Sequence, residues 1–257
     1  MLECVMGRVF LAGAGPGDPE LLTLKAARVI AAADVLLYDS LVDPRVVAMA
    51  RADARLIDVG KRCGKHSASQ KEICRLLVAQ ARTGKLVVRL KGGDPMVFGR
   101  ATEEMEALQA AGIGFEVIPG VTAATAAAAA LHVSLTKRAV ARSLHFLVGH
   151  GAESGLPAHD WVSLTKSGGT LVVYMGGQTL PGLAAHFIEA GMAPDMPAVA
   201  VESASLEGQR ILRGTIGSLP GLVLGAKATG PVIVLIGEAM EQSDELDDVL
   251  LQVEAEG

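Results

Sequence analysis

The sequence predicts an α/β protein of two domains, each built on a mostly parallel sheet flanked by helices. Short β-branched runs alternate with amphipathic stretches through the first half. Two of these runs lead directly into glycine-rich loops, as strands do at ligand sites of parallel sheets. Half of the 257 residues are apolar and only 3% are aromatic, which suits close packing of helices on sheets.

The first strand-helix unit is predicted at the N-terminus. Residues 8–12 form a strand pattern, and the glycine loop that follows ends at Asp18, a helix N-cap with Pro19 at the first helical position. Four residues would share one face of this helix, namely Leu21, Leu24, Ala27 and Ala31. Residues 35–38 then form a second strand that ends at Asp39, and Asp43-Pro44 starts the next helix.

A second unit follows the same pattern. Ser69 and Glu72 form a capping box before a helix that Gly84 ends. Its apolar positions are Ile73, Leu76, Leu77 and Ala81. Residues 86–90 are a strong strand pattern, which leads into the loop Lys91-Gly92-Gly93-Asp94-Pro95.

The domain boundary is predicted at the sharp turn Ile118-Pro119-Gly120, which gives domains 1–118 and 119–257. An Ala-rich packing helix follows at 122–131. The second half contains strand patterns at 144–148, 170–175, 198–201 and 231–236, and a helix pattern at about 180–190. The acidic tail after Glu238 is expected to form a terminal helix or a frayed end.

Composition narrows the function classes. A formal charge of −5 argues against a nucleic-acid partner. Cys4, Cys63 and Cys74 form no C-x-x-C pair, which favours a reducing cytoplasm and no metal site. The N-terminus lacks a signal-peptide pattern, and no apolar run reaches the roughly 18 residues of a membrane span. We expect a soluble cytoplasmic protein that binds a small or medium-sized ligand.

The loop from Gly13 to Asp18 is compatible with a dinucleotide site, and Asp39 at the end of the second strand supports that reading. Two residues argue against it. Pro16 removes an N–H that could bind a pyrophosphate, and Asp18 would place a carboxylate beside it. A nicotinamide enzyme is therefore a poor second interpretation.

The loop after the third predicted strand, residues 86–90, leaves two interpretations open. Asp94 could cap the next segment or meet a ligand. Arg100 and Glu103 could act in a site or form an exposed i,i+3 ion pair.

Six ordered motifs resemble the tetrapyrrole methylase family, and within it the enzymes that methylate uroporphyrinogen III. They are GAGPGDP at 13–19, YDSLV at 38–42, GKRCGKH at 60–66, RLKGGDPMVFGR at 89–100, PGVTAA at 119–124 and VYMG at 173–176. Together they extend over nearly the whole chain.

The resemblance implies a two-domain homodimer that binds S-adenosylmethionine (SAM) in the cleft between its domains. The first domain would lie on the tetrapyrrole side, and the second would contribute to the SAM site. The implied SAM contacts are Pro16, Gly92, Gly93, Asp94, Val97, Phe98, Thr122, Ala123, Met175 and Ala204. The sequence departs from the family at Glu202-Ser203-Ala204-Ser205, where relatives often read E-N-G-T, and at Val148-Gly149-His150, where T-G-H is usual.

The implied reaction moves methyl groups from two SAM molecules, one at a time, to C2 and C7 of uroporphyrinogen III. The products would be precorrin-2, used for sirohaem or cobalamin, and S-adenosylhomocysteine. Such an anionic substrate needs cationic side chains, and the candidates are Lys61, Arg62, Lys65, His66, Arg100, Lys137, Arg138 and Arg142.

Three residues are the candidates for catalytic roles. Arg100 would anchor substrate carboxylates, and Asp39, assisted by Lys61, would take up protons. The alternative for Asp39 is to cap the turn that follows its strand.

Other functions stay open. A sibling could methylate a later precorrin, a more distant relative would be diphthine synthase, and a protein of another class would be a non-catalytic nucleotide sensor. Because the methylase motifs begin within the first fifteen residues, we expect no preceding domain that oxidises precorrin-2 and inserts iron.

Overall fold

The computed structural model describes residues 7–60, 69–151 and 155–241. The chain divides into two compact units. The first comprises Met1–Ala126 and Ser205–Glu207, and the second comprises Ala127–Ala204 and Gly208–Gly257. The sequence pattern predicts a break at residue 118, but it gives no sign that residues 205–207 return to the first unit.

The first unit contains a five-stranded sheet in the order β3-β2-β4-β1-β5. Every strand pair in it is parallel, as predicted. The strands are β1 (Val9–Gly13), β2 (Val35–Tyr38), β3 (Arg55–Asp58), β4 (Val87–Lys91) and β5 (Phe115–Ile118). All their carboxyl ends therefore lie at one edge of the sheet.

Helices cover both faces of this sheet. They are α1 (Leu24–Ala32), α2 (Pro44–Val47), α3 (Gln70–Ala81) and α4 (Ala101–Ala110). Ala26 and Ile30 of α1 pack into the core on one face, whereas Leu77 of α3 and Leu108 of α4 pack into the core on the other. Because β1 and β4 are neighbours whose following helices lie on opposite faces, the sheet changes winding direction between them. Parallel sheets bind ligands at such a point.

Helix α1 begins later than the sequence predicts. Asp18 caps only a single 3₁₀ turn, Pro19–Leu21, and Thr23 then caps α1 by accepting a hydrogen bond from the Ala26 N–H at 3.1 Å. This second cap changes which residues face the sheet, so that Leu24 is 83% exposed. The predicted face was wrong; its members were Leu21, Leu24, Ala27 and Ala31.

Two other predicted helix starts are confirmed. Asp43 caps α2 with Pro44 at its first turn. At α3, the Ser69 N–H donates to Glu72 Oε2 at 2.6 Å and the Glu72 N–H donates to Ser69 Oγ, which completes the capping box.

The second unit contains a five-stranded sheet in the order β6-β7-β10-β8-β9. The strands are β6 (Leu144–Val148), β7 (Thr170–Tyr174), β8 (Pro197–Glu202), β9 (Arg210–Thr215) and β10 (Val232–Ile236). The helices are α6 (Trp161–Lys166), α7 (Leu180–Glu189) and α8 (Leu219–Gly225), while α5 (Ala123–Leu131) extends over the division between the units. The core includes Phe187, Leu171 and Val234.

This second sheet corrects the prediction that both sheets are mostly parallel. Only β6 and β7 pair in parallel; β7–β10, β10–β8 and β8–β9 are antiparallel. The segment between β8 and β9, residues 203–209, is too short for the crossover that a parallel pair requires. β10 then enters between β7 and β8 and runs against both.

Glu202, the last residue of β8, ties three segments of the second unit together. It is 5% exposed. Its Oε1 accepts hydrogen bonds from the N–H groups of Thr229 and Gly230, both at 2.7 Å, and its Oε2 accepts one from Arg210 Nε at 2.7 Å. Burial raises the pKa of this carboxyl, but the Gly230 N–H, Arg210 and the Thr229 N–H lower it, and the net pKa is below its ordinary value.

We therefore predict that Glu202→Gln lowers the free energy of unfolding at neutral pH by roughly 1.5–3 kcal/mol, the usual contribution of hydrogen bonds to a charged group. A depressed folded-state pKa contributes stability above the unfolded value of about 4.3, and that stability is lost as the pH falls through the folded-state pKa. Urea denaturation at several pH values should show the deficit shrinking below about pH 4. Glu189→Gln, at an exposed position of α7, is the control. A deficit of equal size at low pH would contradict the electrostatic explanation.

Candidate functional site

Three loops meet at the carboxyl edge of the first sheet, where β1 and β4 are neighbours. The loop after β1 and the loop after β4 are joined by two backbone hydrogen bonds, from the Gly93 N–H to the Gly15 oxygen at 2.7 Å and from the Gly15 N–H to the Gly93 oxygen at 3.2 Å. The Ala14 N–H also donates to the Lys91 oxygen at 2.7 Å. The loop after β5 joins them through Gly120.

Glycine is required at this junction because the three loops approach each other by their backbones. A Cβ on Gly13 would lie 2.6 Å from both the Gly93 oxygen and the Gly120 Cα. A Cβ on Gly120 would collide with the same Gly93 oxygen and would lie 2.9 Å from the Gly13 Cα. We call this meeting point of Gly13, Gly93 and Gly120 the glycine junction.

Gly93 can also present its backbone to a ligand. Its φ of +67° lies in the left-handed region that favours glycine. Among the atoms of the described residues, a Cβ built there would meet only the Thr122 Cα, at 4.0 Å. A ligand could therefore reach the backbone of this loop closely.

Asp94 fastens two of the loops together. Its Oδ2 accepts a hydrogen bond from the Gly120 N–H at 2.9 Å, and its Oδ1 accepts one from the Met96 N–H at 2.7 Å. Asp94 therefore caps the segment that follows it, which is one of the two roles that the sequence left open. The predicted contact of Asp94 with SAM stays a prediction.

The other SAM contacts predicted for the first unit lie on the same three loops. Pro16 is half-buried, and Val97 is partly buried in the turn after Asp94. Phe98 is 42% exposed and has a φ of +51°. Thr122 and Ala123, at the start of α5, are both partly exposed. The structure brings these residues to the edge at which the glycine junction lies.

The short segment 205–207 completes the first unit beside the loop after β1. The Asp18 N–H donates to Ser205 Oγ at 3.3 Å, and Leu206 packs so closely on Gly17 that a Cβ there would collide with it. Sequence spacing gave no signal for this long-range contact.

Met175 and Ala204, the remaining predicted SAM contacts, belong to the second unit. Met175 follows β7 with a φ of +56° and is 54% exposed, so it lies outside the hydrophobic core. Ala204 is buried between Ser203 and Ser205, whose φ angles are +53° and +66°. The departure from E-N-G-T therefore includes Ser203, a position of left-handed φ at which the usual Asn would fit more easily.

Asp39 follows β2 at the same edge of the first sheet. Its Oδ1 accepts a hydrogen bond from the Leu41 N–H at 3.1 Å, which is the turn-capping role left open by the sequence. Its Oδ2 lies 3.8 Å from Arg89 Nη2, and the side chain is 25% exposed. This carboxylate is thus held in place and still reachable from solvent.

Arg100 forms the exposed ion pair that the sequence left open, with its Nη2 2.9 Å from Glu103 Oε1. It precedes α4 with a φ of +55° and lines an open groove of 610 Å³ beside Cys74 and Arg75. Desolvation, with the negative charges of Glu104 and Glu103, raises the pKa of the Cys74 thiol. The groove is therefore a poor site for thiolate chemistry.

The other predicted cationic residues fall into two sets. Lys61, Arg62, Lys65 and His66 lie outside the described residues; Gly60, just before them, packs against Ser40. Lys137, Arg138 and Arg142 are exposed residues of the second unit.

Sequence reasoning missed a buried ionic cluster beneath Asp39. Glu104 of α4 is fully buried, and its Oε1 lies 3.0 Å from Arg89 Nε and 3.1 Å from Lys91 Nζ. Arg89 and Lys91 are themselves 3% and 5% exposed in their side chains. The sequence did contain a signal for this cluster. Arg89 and Lys91 are cationic residues at alternate positions of β4, and a parallel strand covered on both faces is normally apolar throughout.

Burial lowers the pKa of Lys91, and the charge of Arg89 lowers it further, while Glu104 and Asp39 raise it in part. Glu104 is therefore the principal group that keeps two cations together in an apolar setting.

Within residues 7–60, 69–151 and 155–241, no group of three or more His, Cys, Asp or Glu side chains could hold a metal ion. None of the helices in those ranges combines the length and the apolar character of a membrane span.

A doubly wound parallel sheet with glycine loops at its switch point defines an α/β protein of the nucleotide- or cofactor-binding class. The model of the Tetrapyrrole (Corrin/Porphyrin) Methylases matches residues 8–220. The chain belongs to this family, as its motifs predicted, and the α/β fold class is confirmed.

The chain is 48% identical over 242 residues to the S-adenosyl-L-methionine-dependent uroporphyrinogen III methyltransferase, chloroplastic, of Arabidopsis thaliana, covering 94% of this chain and 66% of that protein. Bacterial siroheme synthases also match. The siroheme synthase of Chromobacterium violaceum is 45% identical over 240 residues, and the matched region covers 93% of this chain and 51% of that protein. The chain thus spans about half the length of these siroheme synthases.

Two solved structures are similar over most of the chain. Uroporphyrin-III C-methyltransferase from Thermus thermophilus, complexed with S-adenosyl homocysteine, has a TM-score of 0.78 and 40% identity, covering 91% of this chain and 98% of the other. Cobalt precorrin-4 methyltransferase, a cobalamin biosynthetic enzyme, has a TM-score of 0.82 and 29% identity, covering 91% and 96%.

The glycine junction yields a stability prediction. Gly120→Ala should lower the free energy of unfolding by roughly 1–3 kcal/mol, because its Cβ forces the three loops apart. Gly114→Ala, a few residues earlier, is the matched control, since no atom of residues 7–60, 69–151 and 155–241 lies within 4 Å of its added Cβ. Urea denaturation of both variants measures the difference. Equal stability of the two variants would show that the junction tolerates a side chain.

Proposed function

We propose that the chain is a SAM-dependent methyltransferase that methylates uroporphyrinogen III at C2 and C7 and releases precorrin-2. The observation that carries this proposal is the glycine junction, a backbone-lined ligand edge in a member of the tetrapyrrole methylases. The names of relatives at 40% and 48% identity support the substrate. The relative acting on precorrin-4 is 29% identical and supports a later precorrin less well.

The residues present fit SAM better than a nicotinamide dinucleotide. When bound, SAM supplies an electrophilic methyl group on its sulfonium. Gly93 leaves space for its backbone to approach such a ligand, and Pro16 offers no N–H to a pyrophosphate. Asp39, which would have to bind a ribose hydroxyl of such a dinucleotide, already accepts a hydrogen bond from the Leu41 N–H and lies 3.8 Å from Arg89 Nη2.

The protein's part in the reaction is to hold the reactants in line, exclude water and accept a proton. A reduced pyrrole ring is nucleophilic at carbon through its nitrogen lone pair, so no strong base is needed before attack. Afterwards Asp39 takes up the proton that the ring loses, and Lys61 donates or holds charge opposite it. A guanidinium offers N–H donors in a planar fork and no acceptor, so Arg100 binds a substrate carboxylate rather than accepting a proton.

To bind a substrate carboxylate, Arg100 has to give up its ion pair with Glu103. Its guanidinium pairs with Glu103, and this pair is more than 40% exposed on both sides. Exposed pairs of this kind contribute at most about 1 kcal/mol. A substrate carboxylate could therefore replace Glu103 at small cost.

The setting of the enzyme is proposed from the same resemblance. Domains 1–118 and 119–257 would form the active-site cleft between them, with Met175 and Ala204 contributing to the SAM site. The enzyme would be a cytoplasmic homodimer without a metal, and its product would enter sirohaem or cobalamin biosynthesis.

Ligand binding and turnover test the proposal together. The protein should bind SAM and S-adenosylhomocysteine but not NAD in calorimetry, because Pro16 and Asp18 occupy the loop after β1. With labelled SAM, uroporphyrinogen III should gain two methyl groups, and later precorrins should be poorer acceptors. NAD binding without SAM heat would exclude a methyltransferase. Faster labelling of a later precorrin would assign the chain to a sibling activity.

The roles of Asp39 and Arg100 are separable by mutation. Arg100→Ala should weaken binding of uroporphyrinogen III roughly 10- to 100-fold, since a charge-assisted hydrogen bond is lost, and Arg100→Lys should restore part of it. Asp39→Asn should slow turnover by about 10²-fold or more and leave binding of both ligands intact. Steady-state and single-turnover assays distinguish the two effects.

Arg28→Ala is the control, because Arg28 is an exposed residue of α1 on the opposite face of the sheet. If Arg100→Ala binds substrate normally but is inactive, and Asp39→Asn is active, the assigned roles are exchanged or wrong.

A further inference from the structure

The buried cluster of Arg89, Lys91 and Glu104 lies directly behind Asp39 in the first sheet. β2 and β4 are parallel neighbours with Leu37 beside Arg89. Side chains two residues apart on a strand share a face. Asp39 therefore continues the face on which Arg89 and Lys91 lie, and α4 covers that face with Glu104.

Each of the three guanidinium nitrogens of Arg89 faces a polar partner. Nε donates to Glu104 Oε1 at 3.0 Å, Nη1 donates to the Leu90 oxygen at 2.8 Å, and Nη2 lies 3.8 Å from Asp39 Oδ2. The first two contacts fix the plane of the guanidinium, and in that plane Nη2 faces the Asp39 carboxylate. At 3.8 Å the charges attract, but the distance is too long for a hydrogen bond.

Glu104 is an unusual residue for a purely structural role. It is fully buried, yet within the described residues its Oε2 has no hydrogen-bond partner. Three donors converge on its Oε1 instead: Arg89 Nε, Lys91 Nζ and Gln70 Nε2, the last at 3.3 Å. Isolated buried charge is costly, and well-packed apolar residues often replace buried ion pairs without loss of stability. The arrangement orients Arg89 and Lys91, while Glu104 Oε2 accepts no hydrogen bond from the described residues.

We infer that Glu104 is a positioning residue for the proposed reaction: it holds Arg89 from behind, and Arg89 holds the Asp39 carboxylate at the edge where the glycine loops meet. This inference rests on the proposed role of Asp39. Loss of Glu104 would remove the partner of Arg89 Nε and leave Arg89 and Lys91, two like charges, without their shared counter-charge. Asp39 would keep its turn hydrogen bond to Leu41 but lose the partner that fixes its other oxygen.

Two variants and a control test the inference. Glu104→Gln keeps the shape of the side chain and removes its charge. Arg89→Lys keeps a positive charge but loses the fork that joins Glu104 to Asp39. Glu106→Gln, an exposed carboxylate on the same helix, is the matched control. The readouts are kcat and KM for uroporphyrinogen III at saturating SAM, thermal unfolding, and hydrogen exchange of the Arg89 Nε–H by NMR in the ligand-free protein.

We expect both variants to lower kcat roughly ten- to a hundredfold, because small misplacements of catalytic groups have effects of that size. KM should change little, and Glu106→Gln should match the parent. In the Asp39→Asn background neither variant should lower kcat much further, since residues that act through one another are non-additive. The Arg89 Nε–H, assigned by its absence in Arg89→Lys, should exchange slowly in the parent and fast in Glu104→Gln.

Each alternative outcome has a definite meaning. A folded Glu104→Gln or Arg89→Lys protein with parental kcat overturns the inference, as does a full additive loss in the Asp39→Asn background. If Glu104→Gln does not fold, Arg89→Lys decides, and if neither folds, the cluster is structural and the inference is wrong. A parent protein without methyl transfer to uroporphyrinogen III would instead reject the proposed function.

Discussion

The backbone contact between the loops after β1, β4 and β5 is the constraint on which the candidate site depends. At Gly13 and Gly120 the loops approach each other too closely for any side chain, and the φ of +67° at Gly93 favours glycine. Asp94, on the loop after β4, fastens that loop to the loop after β5 through the Gly120 N–H. A ligand edge lined by backbone follows, because side chains are excluded from the place where the sheet changes winding direction.

The buried ionic cluster of Arg89, Lys91 and Glu104 adds an electrostatic constraint at this edge of the sheet. Parallel strands covered on both faces are normally apolar, yet β4 carries Arg89 and Lys91 into the core, where both pair with the single carboxylate of Glu104. Among the ion pairs of this cluster within the described residues, the partner that is partly exposed is Asp39, at 25%. The chemistry proposed for Asp39 and the architecture of β4 and α4 are therefore physically linked.

Local sequence signals were reliable where short-range chemistry decides the structure. The capping box at Ser69 and Glu72 and the cap at Asp43 formed as predicted, because their partners lie within one helical turn. The same reasoning failed at α1. Asp18 and Thr23 are both good caps, and only packing of Ala26 and Ile30 on the sheet shows that Thr23 starts the long helix.

The sequence by itself determined the family, the α/β class, the first parallel sheet and the loops that carry the candidate site, since each rests on motifs or on periodicity within a short stretch of chain. Only the tertiary structure decided the mixed second sheet, the return of residues 205–207 to the first unit, and the pairing of Arg89 and Lys91 with Glu104. These features join residues distant in sequence. They depend on which strand lies beside which, and a linear pattern of apolar and polar residues does not encode that neighbourhood.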